Sequence, residues 1–287
     1  MSDITGNKQF QKSFELGEFI YFIDSSNLES NIDYIKQHQI DFVGVNTYKD
    51  FDIEDFSVLL EIKDQVRKLS IEVRNMESLH LLKEFKHLEY LHIIDDNIDI
   101  DLTGLDKLKT LYITYHKKIR GLDTLENLEK LLIEKANEKV LNAITTSSKK
   151  ISHLTIRSSK FNNLSFLQAL NQLSELEFEY CSRSSIDVME IPRNIEVLRL
   201  ENSKKVENIE ALKEFKKLKK LYLINSVQLE NDSFVNDLKD LETIVVTQAS
   251  YFVQGDLSNL YNHKNIKHVG INNKKHYNYT FEDFKKR

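Results

Sequence analysis

The feature that most constrains this chain is a six-residue pattern, apolar-x-x-apolar-x-apolar, that returns eleven times along it. It occurs as Ile40/Val43/Val45, Val66/Leu69/Ile71, Leu88/Leu91/Ile93, Leu108/Leu111/Ile113, Leu128/Leu131/Ile133 and Ile151/Leu154/Ile156. It continues as Leu173/Leu176/Phe178, Ile195/Leu198/Leu200, Leu218/Leu221/Leu223, Leu241/Ile244/Val246 and Ile266/Val269/Ile271. Measured between the last apolar residues, the steps run from 20 to 26 residues, a period that signals a repeat architecture.

Two rhythms alternate within each repeat. In the segment 111–113, Leu111 and Ile113 point one way and Tyr112 the other, which predicts a short strand with one face inward. The three-residue spacing of Ile119, Leu122, Leu125 and Leu128 suits a 3₁₀ or short α-helical return with one apolar stripe. A single unit has too few apolar side chains to offset the ordering of its backbone, so neighbouring coils must cover one another's cores. Stacking pairs each strand with the next in a parallel sheet and predicts an α/β solenoid with special ends.

These units resemble leucine-rich repeats, and the 22-residue ones are similar to those of internalins and phosphatase-regulatory repeat proteins. The resemblance is carried best by 108–128, by 151–173 with Phe161, Leu164, Leu167 and Leu170, and by 195–218 with Val206, Ile209, Leu212 and Phe215. It implies a right-handed horseshoe whose parallel sheet lines the concave side and whose returns form the convex side. The chain departs from that family where an asparagine usually follows the strand: Asp96, His116, Ala136, Ser159, Cys181, Ser203, Ser226 and Ala249 stand there instead. The expected organisation is an N-terminal cap over 1–39, a solenoid of about eleven units over 40–275 and a C-terminal cap over 276–287. In the first cap the stretch FELGEFIYFIDSS reads as a strand, followed by a helix over 27–37 capped by Ser26. In the last, Thr280 with Asp283 resembles a capping box, with Phe281 and Phe284 closing the final coil.

Composition narrows the function. One proline and seven glycines in 287 residues predict regular structure without a flexible linker. One cysteine excludes an internal disulfide and a cysteine-based zinc cluster and suits a reducing compartment. The polar N-terminus lacks an apolar signal region, and no long apolar run suggests a membrane span, so a cytoplasmic chain is expected. A net charge of -5, with both signs intermixed, argues against nucleic acid as partner. The Asn-x-Ser/Thr sites at Asn163, Asn231 and Asn278 carry no weight without a secretory route.

Candidate chemistry is sparse. The stretch DIDLT at 99–103 matches the Asp-x-Asp-x-Thr nucleophile motif of haloacid-dehalogenase-type phosphatases, but Asp95, Asp96 and Asn97 separate it from the preceding strand and Leu102 belongs to an apolar stripe. The nine histidines show no ligand spacing, and Cys181 reads as a small buried thiol. No catalytic residue, metal site or cofactor is expected. What remains is the outward face of the strands: Tyr90, His92, Ile94, Tyr112 and Leu132 form an apolar and aromatic group. Tyr222 and Ile224 form a second, with Val245. Between them lie Glu134, Glu175, Glu177, Glu179 and Glu201 against Arg157 and Arg199. The expectation is a non-enzymatic, monomeric protein-binding module whose concave face takes a protein partner, with a basic one favoured by the acidic excess. An immunity protein that occludes a toxin is the sharper version, a regulatory or scaffolding subunit of a signalling enzyme the alternative.

Overall fold

The computed structural model describes residues 9–13, 16–49, 56–74, 76, 78–95 and 97–286. They gather into two compact units, one ending at Ile133 and the other beginning at Glu134. The expected turn residue Asp96, and Phe14 and Glu15 of the expected first strand, lie outside the described residues.

The first unit opens with β1 (Phe10–Lys12), which runs antiparallel to β2 (Phe19–Phe22) and sets Phe10 opposite Tyr21. Next come α1 (Leu28–His38), β3 (Phe42–Asn46), β4 (Lys68–Val73), β5 (Tyr90–Asp95), β6 (Thr110–Thr114) and β7 (Lys130–Glu134). From β2 onward the pairings are parallel, with Leu69 beside Leu91 and Leu91 beside Leu111. Alternation does what the sequence predicted: Leu69, Ile71 and Val73 are buried, while Lys68, Ser70 and Glu72 are half-buried. The returns are 3₁₀ turns at Phe56–Ile62, His80–Glu84 and Leu122–Thr124, whose buried residues are Phe56, Leu59, Ile62, Leu82 and Leu122.

The N-terminal segment differs from the expectation in two respects: the expected strand is confined to Phe19–Phe22, and the helix is placed and capped differently. The helix starts at Leu28, and Ser26 does not cap it; Ser26 lies in a 3₁₀ turn whose N-cap Asp24 accepts the Ser26 N–H. A carboxylate is the better acceptor because its hydrogen bond is charge-assisted, and three hydrogen bonds hold the Asp24 carboxyl below its usual range, the Ser26 hydroxyl first. Asn31 ties the cap together from within. Its buried Oδ1 accepts from Gln9 at 2.6 Å and the Tyr21 hydroxyl at 3.1 Å, and its Nδ2 donates to the Asn27 carbonyl at 2.7 Å.

The second unit carries β8 (His153–Arg157), β9 (Glu175–Glu179), β10 (Val197–Glu201), β11 (Lys220–Ile224), β12 (Thr243–Thr247) and β13 (His268–Ile271), all parallel and in register. Leu154, Leu176, Leu198, Leu221, Ile244 and Val269 therefore form one row across six strands. Returns are again mostly 3₁₀, with α2 (Glu138–Ser147) and α3 (Ser258–Asn262) as the helical ones. The sheet ends against α4 (Phe281–Lys285), opened by the expected Thr280–Asp283 capping box. Phe284 is buried there, near a stacked Tyr261–Tyr279 pair 4.0 Å apart.

From β7 to β12 each strand leaves through a non-glycine residue in the left-handed region: Lys135, Ser158, Tyr180, Asn202, Asn225 and Gln248 have φ of 48 to 61°. The strain is offset by a repeated bond. The N–H of Ser158, Tyr180, Asn202 and Asn225 donates to the last carbonyl of the following strand, at 2.8 to 3.1 Å. One residue further on, short side chains replace the asparagine of the resembled family. Ser159 Oγ accepts the Ala136 N–H at 2.9 Å, Ser203 Oγ the Cys181 N–H at 3.3 Å and Ser226 Oγ the Ser203 N–H at 3.4 Å. The same hydroxyls donate to strand-end carbonyls, so buried donors and acceptors are satisfied from coil to coil.

The last rung corrects the sequence reading. Ala249 is exposed, and buried Ser250 instead accepts the N–H groups of Ser226 and Val227 at 2.8 and 3.1 Å. A methyl group cannot accept a hydrogen bond, so the chain advances one residue to bring a hydroxyl into the slot.

Cys181 is the thiol rung of this ladder. Its Sγ donates to the Ile156 and Glu179 carbonyls at 3.4 Å, and burial pushes its pKa up to about 11. The thiolate is the reactive form, so Cys181 is expected to resist a maleimide reagent at about pH 8 and to label when the chain unfolds. Labelling as fast as a small thiol in native buffer would show the site open. The sign of the linkage follows: the unfolded thiol ionises near pH 9 and the native one near 11, so this group's stabilisation is complete below pH 9 and declines as pH rises to 11.

Candidate functional site

The outward residues of the first unit are those that alternate with the buried row. Side by side across β3 to β6 lie Phe42, Lys68, Tyr90 and Thr110, and one step along the strands Gly44, Ser70, His92 and Tyr112. The ring of Tyr90 stands edge-on to Phe42 at 5.5 Å and to Tyr112 at 5.7 Å, and Tyr112 meets His92 at 5.7 Å. These outward rings thus form a continuous aromatic platform.

Tyr90 is not the exposed anchor the sequence suggested. It is 4% exposed because Phe42 and Ile20 pack beside it, with Leu16, Phe22 and Tyr112 against the same cluster. The cause lies in the cap: β2 pairs with β3 so that Phe22 lies beside Gly44, and a β-carbon on Gly44 would stand 2.5 Å from the Phe22 ring. Phe22 can lie flat there only because glycine offers no side chain. His92, Tyr112 and Leu132 are half-buried, and Ile94 is 46% exposed. No sequence signal marked the cover, since residues before the first repeat carry no repeat register.

In the second unit the outward rows are charged. Along one row stand Thr155, Glu177, Arg199, Tyr222 and Val245; along the next, Arg157, Glu179, Glu201, Ile224 and Thr247. Arg157 pairs with Glu179 at 2.7 Å, and Arg199 with Glu201 at 2.8 Å and more distantly with Glu177 at 3.7 Å. Arg157–Glu179 and the longer Arg199–Glu177 pair join neighbouring strands, whereas Arg199–Glu201 lies within β10. Arg199 also lies over the Tyr222 ring at 4.7 Å, so Tyr222 is part of a stack with a cation. His153 faces Glu175 at 3.1 Å. Glu134, the first residue of this unit, is half-buried, as are Glu175, Glu177, Glu179, Glu201, Tyr222 and Ile224.

Glu177 is the carboxylate left least compensated. Its pKa is raised, first by burial and then by Glu179 and Glu175 on the same strand, with Arg199 opposing. On β8 to β10 the four outward carboxylates face two guanidinium groups, an excess of two negative charges (4 − 2). Sequence reasoning missed Tyr180, which sits at the end of β9 with φ 56° and is 54% exposed. A bulky residue at positive φ is unusual, but a left-handed position cannot be read from the residue types around it.

The DIDLT stretch is used locally. Asp99–Asp101 is a strand in a small three-stranded sheet with Ser78–Leu79 and Ile119–Arg120. Asp101 accepts from the N–H and hydroxyl of Thr103, and Arg120 faces Asp99 at 3.1 Å. Among the described residues no three His, Cys, Asp or Glu side chains converge as metal ligands, and no helix is long and apolar enough to cross a membrane.

No protein-family model and no curated protein sequence matches the chain. Among solved structures it is similar to an internalin of Listeria monocytogenes strain 4b F2365, with a TM-score of 0.61 at 19% identity over 89% of this chain and 74% of the internalin. It is also similar to the TLR13 chain of a TLR13–ssRNA13 complex, with a TM-score of 0.50 at 13% identity, over 84% of this chain and 45% of the other. With the parallel strands, the 3₁₀ returns and the repeat register, these likenesses show the fold: the chain is a leucine-rich repeat solenoid.

Proposed function

We propose that the chain is a protein-binding module whose concave strand face holds a folded protein partner, with a basic partner preferred. The reading is carried by Glu177, a half-buried carboxylate short of cationic partners on a face that also presents the apolar groups of Tyr222, Ile224 and Val245. A half-buried charge lacking full compensation is costly to hold in the free protein, and a lysine or arginine delivered by a partner offsets that cost. Tyr112, His92, Ile94 and Leu132 supply apolar contact area in the first unit, while the buried Tyr90 ring packs edge-on beside Tyr112. An immunity protein that occludes a basic toxin domain is the narrower form of this reading. A regulatory subunit is the rival, and a phosphatase or kinase gene beside this one would favour it.

The test starts from a partner isolated on the tagged full-length protein and identified. Tyr222→Ala is expected to raise its dissociation rate roughly thirtyfold, which corresponds to the loss of about 2 kcal/mol typical of an aromatic anchor. Glu177→Lys is expected to slow association at low salt and to lose that effect as salt rises, as a steering charge does. If both variants bind like wild type while Lys213→Glu/Lys216→Glu on a return segment abolishes binding, the strand face is not the interface.

A further inference from the structure

The net charge of -5 is not spread evenly. In the second unit the acidic excess lies on the strands, whereas the exits from those strands are basic. Lys135 follows β7, Lys160 follows β8, Arg183 follows β9, and Lys204 and Lys205 follow β10; all five are exposed. The exit segments 135–137, 158–160, 180–183 and 202–205 hold these five cations and no acid. They are fastened to one another in order. The Lys135 N–H donates to the Arg157 carbonyl at 3.0 Å, the Ser158 N–H to that of Glu179 and the Tyr180 N–H to that of Glu201, both at 2.8 Å. Four successive coils therefore each carry a cation, at intervals of ~4.8 Å, the spacing of paired strands. The glutamates that precede two of these exits, Glu179 and Glu201, already have Arg157 and Arg199 as partners. Among these cations stands Tyr180, 54% exposed, the one exposed large apolar side chain in the four segments.

We infer that this strand-exit edge is a binding strip for single-stranded nucleic acid, with its cations on successive phosphates and Tyr180 stacked on a base. It is a second surface, apart from the strand face of the protein-binding reading. A periodic row of cations complements a polymer that carries one negative charge on every unit. Four of the five are lysines, which meet phosphates as point charges without demanding a fixed geometry. The exposed ring selects among polyanions. Every base has a flat π-face that stacks on an aromatic side chain, and a run of acidic residues offers the ring no such partner. A folded acidic protein would need an apolar centre to its interface, and the strip has a single ring. In a duplex the bases are already stacked on one another, so a single strand is the form that gains from Tyr180.

The test uses the full chain and a fluorescent oligothymidylate of about twelve nucleotides, within the range of single-strand site sizes. Binding is read by fluorescence anisotropy between about 50 and 200 mM salt, where phosphate contacts show their salt dependence. The slope of log affinity against log salt is expected near about -3, because four neutralised phosphates contribute about -0.7 each on a single strand. Lys160→Gln/Arg183→Gln removes the cation of two coils and is expected to halve that slope, about two phosphates fewer. Tyr180→Asn is expected to weaken binding at least about fivefold at every salt concentration, the low end of base–aromatic stacking, while Tyr180→Phe binds like wild type. Asparagine removes the ring without straining the backbone, since Asn202 and Asn225 hold the same left-handed position in the next coils, with φ of 50 and 48°. Lys213→Gln/Lys217→Gln on a return of the same unit is expected to leave slope and affinity nearly unchanged. Four results would each overturn the inference: no anisotropy change at low salt, full competition by a polyglutamate peptide at equal concentration, losses from the return pair equal to those from Lys160→Gln/Arg183→Gln, or wild-type binding by Tyr180→Asn. Tyr222→Ala on the strand face is expected to bind the oligonucleotide normally, so this strip and the protein-binding reading fail separately.

Discussion

Phe178→Ala lowers the stability of the chain by about 3–5 kcal/mol, the cost of emptying a fully packed aromatic site. Phe178 is completely buried in β9, with the Phe161 ring 5.5 Å away and Phe161 in turn edge-on to Phe166 at 5.6 Å. Three rings from a strand and its neighbouring return thus share one volume. The residues beside Phe178 in its row, Ile156 and Leu200, are smaller and cannot fill the space a lost ring would leave. Collapse of the surrounding coil into the void is limited because Leu176 and Leu198 are themselves fully packed. Chemical denaturation is the measurement. A loss under about 1 kcal/mol would mean that the repeat register around Phe178 is wrong, since only a residue facing solvent is so cheap to truncate.

That register was legible because it rests on short-range alternation repeated many times. Leu111, Ile113, Leu131, Ile133, Leu154, Ile156, Leu176, Leu198, Leu200, Leu221 and Leu223 were each expected inside and are each buried. Thr155, between two of them, is half-buried on the other face. The C-terminal capping box was equally local, because residues three apart determine it. Features set by a distant segment were not legible. Tyr90 obeys the outward rhythm of its strand and is nevertheless buried, because Ile20, with Phe22 and Leu16 against the same cluster, comes to it from outside the repeat.

The candidate site divides along the same line. Which residues face outward followed from alternation, so Glu175, Glu177, Glu179, Arg157, Arg199 and Glu201 fall on one face as expected. How their charges are shared did not follow. Arg157 serves Glu179 alone, whereas Arg199 bends back along its own strand to Glu201 and stacks on Tyr222, which leaves Glu177 the less well matched of the acids. Side-chain conformation decides that division, and a one-dimensional pattern holds no information about it.

Ser250→Ala is expected to destabilise the chain by about 1–3 kcal/mol, the range for leaving buried backbone donors without acceptors. Its hydroxyl takes two N–H groups, those of Ser226 and Val227, whereas Ser203 takes one, that of Cys181. Ser250→Ala should therefore cost more than Ser203→Ala, although both hydroxyls are completely buried. Cys181→Ser puts a hydroxyl into a slot already lined by the Ile156 and Glu179 carbonyls and should stay within about 1 kcal/mol of wild type, the worth of one ordinary hydrogen bond. At Ala249, the position the repeat spacing marks, a change to serine should do nothing measurable because the residue is exposed. Denaturant midpoints of these four variants order the rungs: an Ala249→Ser effect larger than that of Ser250→Ala would return the last rung to the position expected from spacing, and equal losses at Ser203 and Ser250 would show that the second donor, Val227, is satisfied by water once the hydroxyl is gone.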